Sequence, residues 1–116
     1  MIWLWLSAAF MVTTAGVHSV LGYRRLIVPL LRRRDGPLSD ALTRRIIRLA
    51  WHATAVLMLI SAATVAWPGT PDGLLAAVGA GWLATGLFDA VYTKGRHIAW
   101  PALVCAGIFA LIGALA

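Results

Sequence analysis

Residues 2–21 read IWLWLSAAFMVTTAGVHSVL, and this stretch decides the class of fold. It contains no Asp, Glu, Lys or Arg. A bilayer span needs about 20 predominantly apolar residues, and the run has that length. Met1 leaves no basic n-region in front of it, and Tyr23, Arg24 and Arg25 follow. A secretory signal would carry its positive charge first, so the run reads as an anchor with a basic C-terminal flank. Three further apolar runs follow, at about 46–67, 73–92 and 98–116. Pro68-Gly69-Thr70-Pro71-Asp72-Gly73 separates the second from the third, and such residues form tight turns. Thr93-Lys94-Gly95-Arg96-His97 separates the third from the fourth. Membrane strands alternate apolar and polar residues over about ten positions, whereas these runs are continuous and longer. The expected fold is one all-α domain over 1–116, an antiparallel bundle of four transmembrane helices.

Composition supports this reading. The chain is 61% hydrophobic and 12% charged, against about 25% charged in soluble domains. Glu, Gln and Asn are absent altogether. The net charge of +6 would suggest nucleic acid in a soluble protein. Here the basic residues interleave with apolar runs, which excludes nucleic acid and points to anionic lipid. The ten Lys and Arg lie at the junction of the first two runs or between the last two. Basic residues remain on the cytoplasmic side, so both termini are expected outside and the basic 1–2 loop in the cytoplasm. The protein would then be a multi-pass component of the cytoplasmic membrane. Trp3, Trp5 and Trp67 would form its outer aromatic belt, and Tyr23, Tyr92 and Trp100 its inner one. Cys105 stands alone in an apolar run and has no disulfide partner.

Each run carries or adjoins one His or Asp near the basic end: His18, His52, Asp89 and His97. Such groups are costly in a membrane and usually face a protein interior and pair. The expectation is a shared polar layer of these four residues. Imidazole and carboxylate suit a divalent metal, two histidines on neighbouring helices suit haem, and a proton relay is a third use. The plainer alternatives are a solvated His97, an Asp89 paired with Arg48 or Lys94, and His18 and His52 bonded to carbonyls or threonines. His18-Ser19-Val20-Leu21-Gly22 and Gly95-Arg96-His97-Ile98-Ala99-Trp100-Pro101 stand out as motifs without a known chemistry.

Arg24 and Arg25 precede the apolar hexad 26–31, and Arg32, Arg33 and Arg34 follow it. The hexad is too short to span, and Pro29 interrupts it. Segment 22–45 therefore reads as an interfacial stretch in which Arg24, Arg25, Arg32, Arg33 and Arg34 contact anionic lipid. Gly36, Pro37, Ser39 and Asp40 mark a helix start ahead of the second span. Small residues form two expected packing ridges, Ala102, Ala106, Ala110 and Ala114 in the fourth run and Ala77, Gly81 and Thr85 in the third.

Length and helix count resemble the small multidrug resistance transporters. Those carry a membrane-embedded glutamate in their first helix, and this chain has no glutamate. No nucleophile–base arrangement, phosphate loop or cofactor fingerprint is present, which argues against an enzyme. The leading expectation is a binding or transport-type membrane protein with a His/Asp site at the cytoplasmic end. The alternatives are an accessory subunit, docking a larger membrane partner or a second copy, and a haem- or metal-binding redox protein.

Overall fold

The computed structural model describes all residues from Met1 to Ala116 and contains four helices and no strand. Helix α1 is continuous over Ile2–Leu31, α2 covers Ala41–Ala66, α3 Asp72–Tyr92 and α4 Trp100–Leu115. The first three are long and apolar enough to cross a membrane, and α4 is a shorter apolar helix of 16 residues.

Helix α1 runs past the expected end at Leu21 and takes in the whole of the arginine-flanked hexad. It does so by changing its winding, because Val17–Ile27 is an 11-residue π-helix. The Val28 N–H, for example, reaches back to the Tyr23 carbonyl. Pro29 cannot donate, and its ring crowds the preceding turn of an ordinary α-helix. The wider π turns before it relieve that crowding, so Pro29 bends into the helix and does not end it. The helix closes at Leu31 through short bonds from Arg32 to Pro29 and from Arg33 to Leu30. The connection between α1 and α2 is thus only residues 32–40, shorter than the expected 22–45, and includes a 3₁₀ turn over Gly36–Ser39.

Helix α2 starts where its cap dictates. Asp40 accepts from the Thr43 N–H at 3.0 Å and from the Thr43 hydroxyl at 2.9 Å. Those two bonds hold the Asp40 carboxyl below the usual carboxylate range. Pro101 lies in the first turn of α4, where its missing N–H costs nothing, and this moves the helix start from Ile98 to Trp100.

The helices pack in the spatial order α2, α1, α4, α3, with only sparse contact between α2 and α3. The molecule is flattened, 52 × 30 × 19 Å. Along α1 and α4, Leu4 lies against Gly113 and the buried Ser7 hydroxyl donates to the Ala106 carbonyl at 2.7 Å. The core is small and made of small side chains: Ala8, Met11, Ala62, Val65, Leu75, Ala106, Ala110 and Ala114. The α4 ridge therefore packs as expected, with Ala106, Ala110 and Ala114 buried and Ala102 half-buried.

The α3 ridge does not. Ala77, Gly81 and Thr85 are exposed, and α3 instead turns Leu75, Gly79 and Gly86 inward. A β-carbon at Gly107 would sit 2.7 Å from both the Gly79 oxygen and the Leu83 Cα. One at Gly86 would sit 2.8 Å from the Val104 nitrogen. Close backbone approach selects these glycines, and the i+4 spacing of small residues alone misses them.

Candidate functional site

The π-helical stretch of α1 is the place where α1 and α2 exchange polar contacts. A π turn bonds i to i+5, so residues 18, 19, 22, 23 and 27 can share one side of the helix. Ile27 is buried, and the four before it are half-buried. The facing residues of α2 are Arg48, Trp51 and His52.

Two reciprocal bonds lock His18 to Trp51. The His18 Nε2 donates to the Trp51 carbonyl at 2.9 Å, and the Trp51 indole N–H donates to the His18 carbonyl, also at 2.9 Å. A carbonyl only accepts, so the proton on Nε2 is fixed by the geometry. Each carbonyl has two lone pairs and takes the ring N–H without surrendering its helical bond. The two rings lie face to face, 3.9 Å between centroids at 12°. Gly22 makes this possible: a β-carbon there would be 2.8 Å from Trp51 Cζ2.

His52 is held beside this lock. Its Nδ1 shares a 2.6 Å hydrogen bond with the Ser19 hydroxyl. Tyr23 packs on its ring at 4.7 Å between centroids. The Tyr23 phenol oxygen in turn accepts from Arg48 Nε at 3.0 Å. His52 makes no other hydrogen bond, so its Nε2 remains available.

Asp89 and His97 meet elsewhere, across the turn between α3 and α4. The His97 Nδ1 donates to Asp89 Oδ2 at 2.6 Å. The Asp89 side chain is 16% exposed and that of His97 54%. The turn geometry brings them together. Gly95 N–H reaches the Ala90 carbonyl and Lys94 N–H reaches Val91, closing the helix end in the manner of a left-handed cap. Lys94 and Gly95 accordingly have φ of 55° and 73°. The Trp100 indole donates to the Gly95 carbonyl at 3.3 Å and ties the turn to α4. The motif 95–101 is thus a structural clasp that seats His97 over Asp89.

The four expected site residues are therefore not joined in one bonded set. His18 and His52 lie in the α1–α2 contact, Asp89 and His97 in the α3–α4 turn, and no hydrogen bond or ion pair links the two groups. Nowhere do three or more His, Cys, Asp or Glu side chains come together to hold a metal ion. Axial haem ligation by His18 through Nε2 would break its bond to Trp51. Asp89 pairs with His97 and not with Arg48 or Lys94. The cause is the packing order: α4 lies between α1 and α3, so the ends of α2 and α3 are not neighbours.

The arginines also separate. Arg33 forms a bidentate pair with Asp35, at 3.0 and 2.7 Å. Arg34 donates to the Leu31 and Arg33 carbonyls and so caps the end of α1. Arg24, Arg25 and Arg32 are exposed and have no protein partner. The sequence reading missed Ser19, Gly22, Arg48 and Trp51 as site residues and placed Tyr23 only in a belt. The available signal was the pairing of two dipeptides, His18-Ser19 and Trp51-His52, each followed or preceded at about one turn by Tyr23 or Arg48.

No protein-family model, curated protein or solved structure matches the chain. The functional reading consequently rests on this geometry.

Proposed function

We propose that this is a small multi-pass membrane protein whose four helices cross the cytoplasmic membrane antiparallel, with both termini outside, and that it binds a ligand at the cytoplasmic end of the α1–α2 face. The observation that carries the reading is the set of interhelical polar contacts built on the π-helix. Simple packing between apolar helices needs no such set. A π segment of 11 residues is far longer than the usual single-turn bulge, and π turns occur frequently at functional sites. The ten-to-zero bias of basic residues supports the sidedness. The α1–α4 register supports it too, because it puts the 1–2 connection and the 3–4 turn at the same end of the molecule.

Sided labelling tests this reading. Single cysteines replacing Thr70 and Lys94, in a Cys105→Ser background, should react with an impermeant maleimide from opposite faces of the membrane. Thr70 should react in intact cells and Lys94 only after permeabilisation. Reaction of both from one face would overturn the four-span arrangement and the cytoplasmic site with it.

A second reading, an accessory subunit, draws on a different observation. The groove between α2 and α3 is open, about 330 Å³, and is lined in part by Ser61, Gly81, Trp82 and Thr85. Gly81 and Thr85 are small and exposed, and residues of this kind let another helix approach closely. Co-purification of a stoichiometric partner in mild detergent, lost on Gly81→Leu, would favour that reading over the first.

A further inference from the structure

We infer that Tyr23 and Arg48 form a site for the phosphate of an anionic phospholipid headgroup at the cytoplasmic end of α1 and α2. The inference rests on the sidedness proposed above and supplies the ligand class.

The first ground is orientation. The guanidinium of Arg48 is anchored through Nε on the Tyr23 oxygen at 3.0 Å, and it makes no other hydrogen bond. Its two terminal nitrogens are left free and present the fork that suits a phosphate. The Tyr23 oxygen is the acceptor in that bond, so its own O–H remains to be donated. The Tyr23 ring is itself steadied by His52. Three donors are thus offered by two side chains that hold each other in place.

The second ground is charge. The chain's two ion pairs are Arg33–Asp35 and His97–Asp89. Asp40 is occupied in capping α2. No acid answers Arg48, nor Arg45 three residues earlier on the same helical face, nor Arg24 and Arg25 next to Tyr23. A counter-anion must come from outside the protein.

The third ground selects a lipid over a soluble phosphate. Leu26, Ile46 and Leu49 flank these basic residues in the two helices and are 56%, 54% and 70% exposed. A headgroup phosphate on Arg48 would bring acyl chains to cover them, which inorganic phosphate cannot do.

Native mass spectrometry of the detergent-solubilised full chain tests the site, with phosphatidylglycerol and phosphatidylcholine as probes. Phosphatidylglycerol should be retained preferentially. Arg48→Gln should reduce its retention about fivefold, the effect of one arginine near an anionic surface. Tyr23→Phe should reduce it about threefold, as expected for one lost hydrogen bond. Arg33→Gln should change little, because that charge is already neutralised by Asp35. Arg48→Lys keeps the charge but loses the anchored fork, and should fall between wild type and Arg48→Gln. Should Arg48→Gln fail to fold, Arg48→Lys and Tyr23→Phe decide the matter.

Equal losses from Arg33→Gln and Arg48→Gln would show a diffuse basic field and overturn the site. Unchanged retention in both Tyr23→Phe and Arg48→Lys would overturn it as well. Displacement of the lipid by equimolar inorganic phosphate would make free phosphate the ligand and overturn the choice of a lipid. Loss of the lipid site with sided labelling intact would sink this inference alone, whereas same-face labelling of Thr70 and Lys94 would remove its foundation.

Discussion

Between α3 and α4 the closest approaches fall at Gly79, Gly86 and Gly107, where backbone meets backbone or the base of a side chain. Between α1 and α2, at the polar end, they fall on rings: Trp51 over Gly22 and against His18, and Tyr23 against His52. The first contact is apolar and insensitive to direction, and its strength comes from many close atom pairs. The second contains directional bonds among side chains that remain partly exposed. A helix pair can be held without any polar bond, so the polar α1–α2 contact is the less explicable as packing and the better candidate for function.

The difference can be broken most severely at Gly107. A β-carbon there meets the Leu83 and Gly79 backbones, and neither can move aside. Gly107→Ala should destabilise the fold by about 2–3 kcal/mol, in the upper range for overpacking, seen as a lowered thermal midpoint in detergent. Phosphatidylglycerol binding by the protein that remains folded should be unaffected.

Gly22→Ala should cost less, about 1–2 kcal/mol, because the obstructing atom belongs to the Trp51 side chain. The change should nevertheless be visible locally. Trp51 should leave its stack on His18, altering its fluorescence emission, while the Trp3–Phe109 contact at the other end stays in place. Unaltered Trp51 emission would mean that the ring contact is looser than the geometry indicates.

A double-mutant cycle sharpens the separation of the two polar groups. Ser19→Ala with His52→Ala should show a coupling of about 0.6 kcal/mol, typical of interhelical hydrogen bonds in membrane proteins. Asp89→Asn with His52→Ala should show coupling near zero, because those residues share no contact. A sizeable coupling in the second cycle, measured by reversible unfolding in detergent, would restore the single polar layer.

The smallest effect concerns Asp40. Its carboxyl is held below the usual range by Thr43. A folded-state pKa below the unfolded one stabilises the fold above the unfolded pKa, and that contribution disappears as pH falls through the folded value. The first turn of α2 should therefore fray only in strong acid, read as faster exchange of the Thr43 amide, with α3 and α4 unaffected. Asp40→Asn keeps a capping oxygen and should retain most of the cap while removing the pH dependence.

Much of this molecule follows from local chemistry. Four helices are legible because an apolar run of span length without turn formers has few other options, and the Pro68–Gly73 segment ends one. The start of α2 could be read from Ser39 and Asp40 together, and the structure gives the cap to Asp40, whose side chain serves a backbone N–H three residues away. What local chemistry did not determine was azimuth. Whether Ala77 or Gly79 faces α4, and whether Asp89 meets His52 or His97, depends on which helices are neighbours and how each is rotated about its axis. Small-residue spacing alone allowed both faces of α3. The order α2, α1, α4, α3 separated Asp89 from the other helix pair, and the π winding of α1 turned His18, Ser19 and Tyr23 onto α2. Hydrogen bonds within a helix are closed within one turn and can be read along the chain. Contacts between helices depend on the fit of whole surfaces, and here that fit distributed the ionisable residues between two separate places.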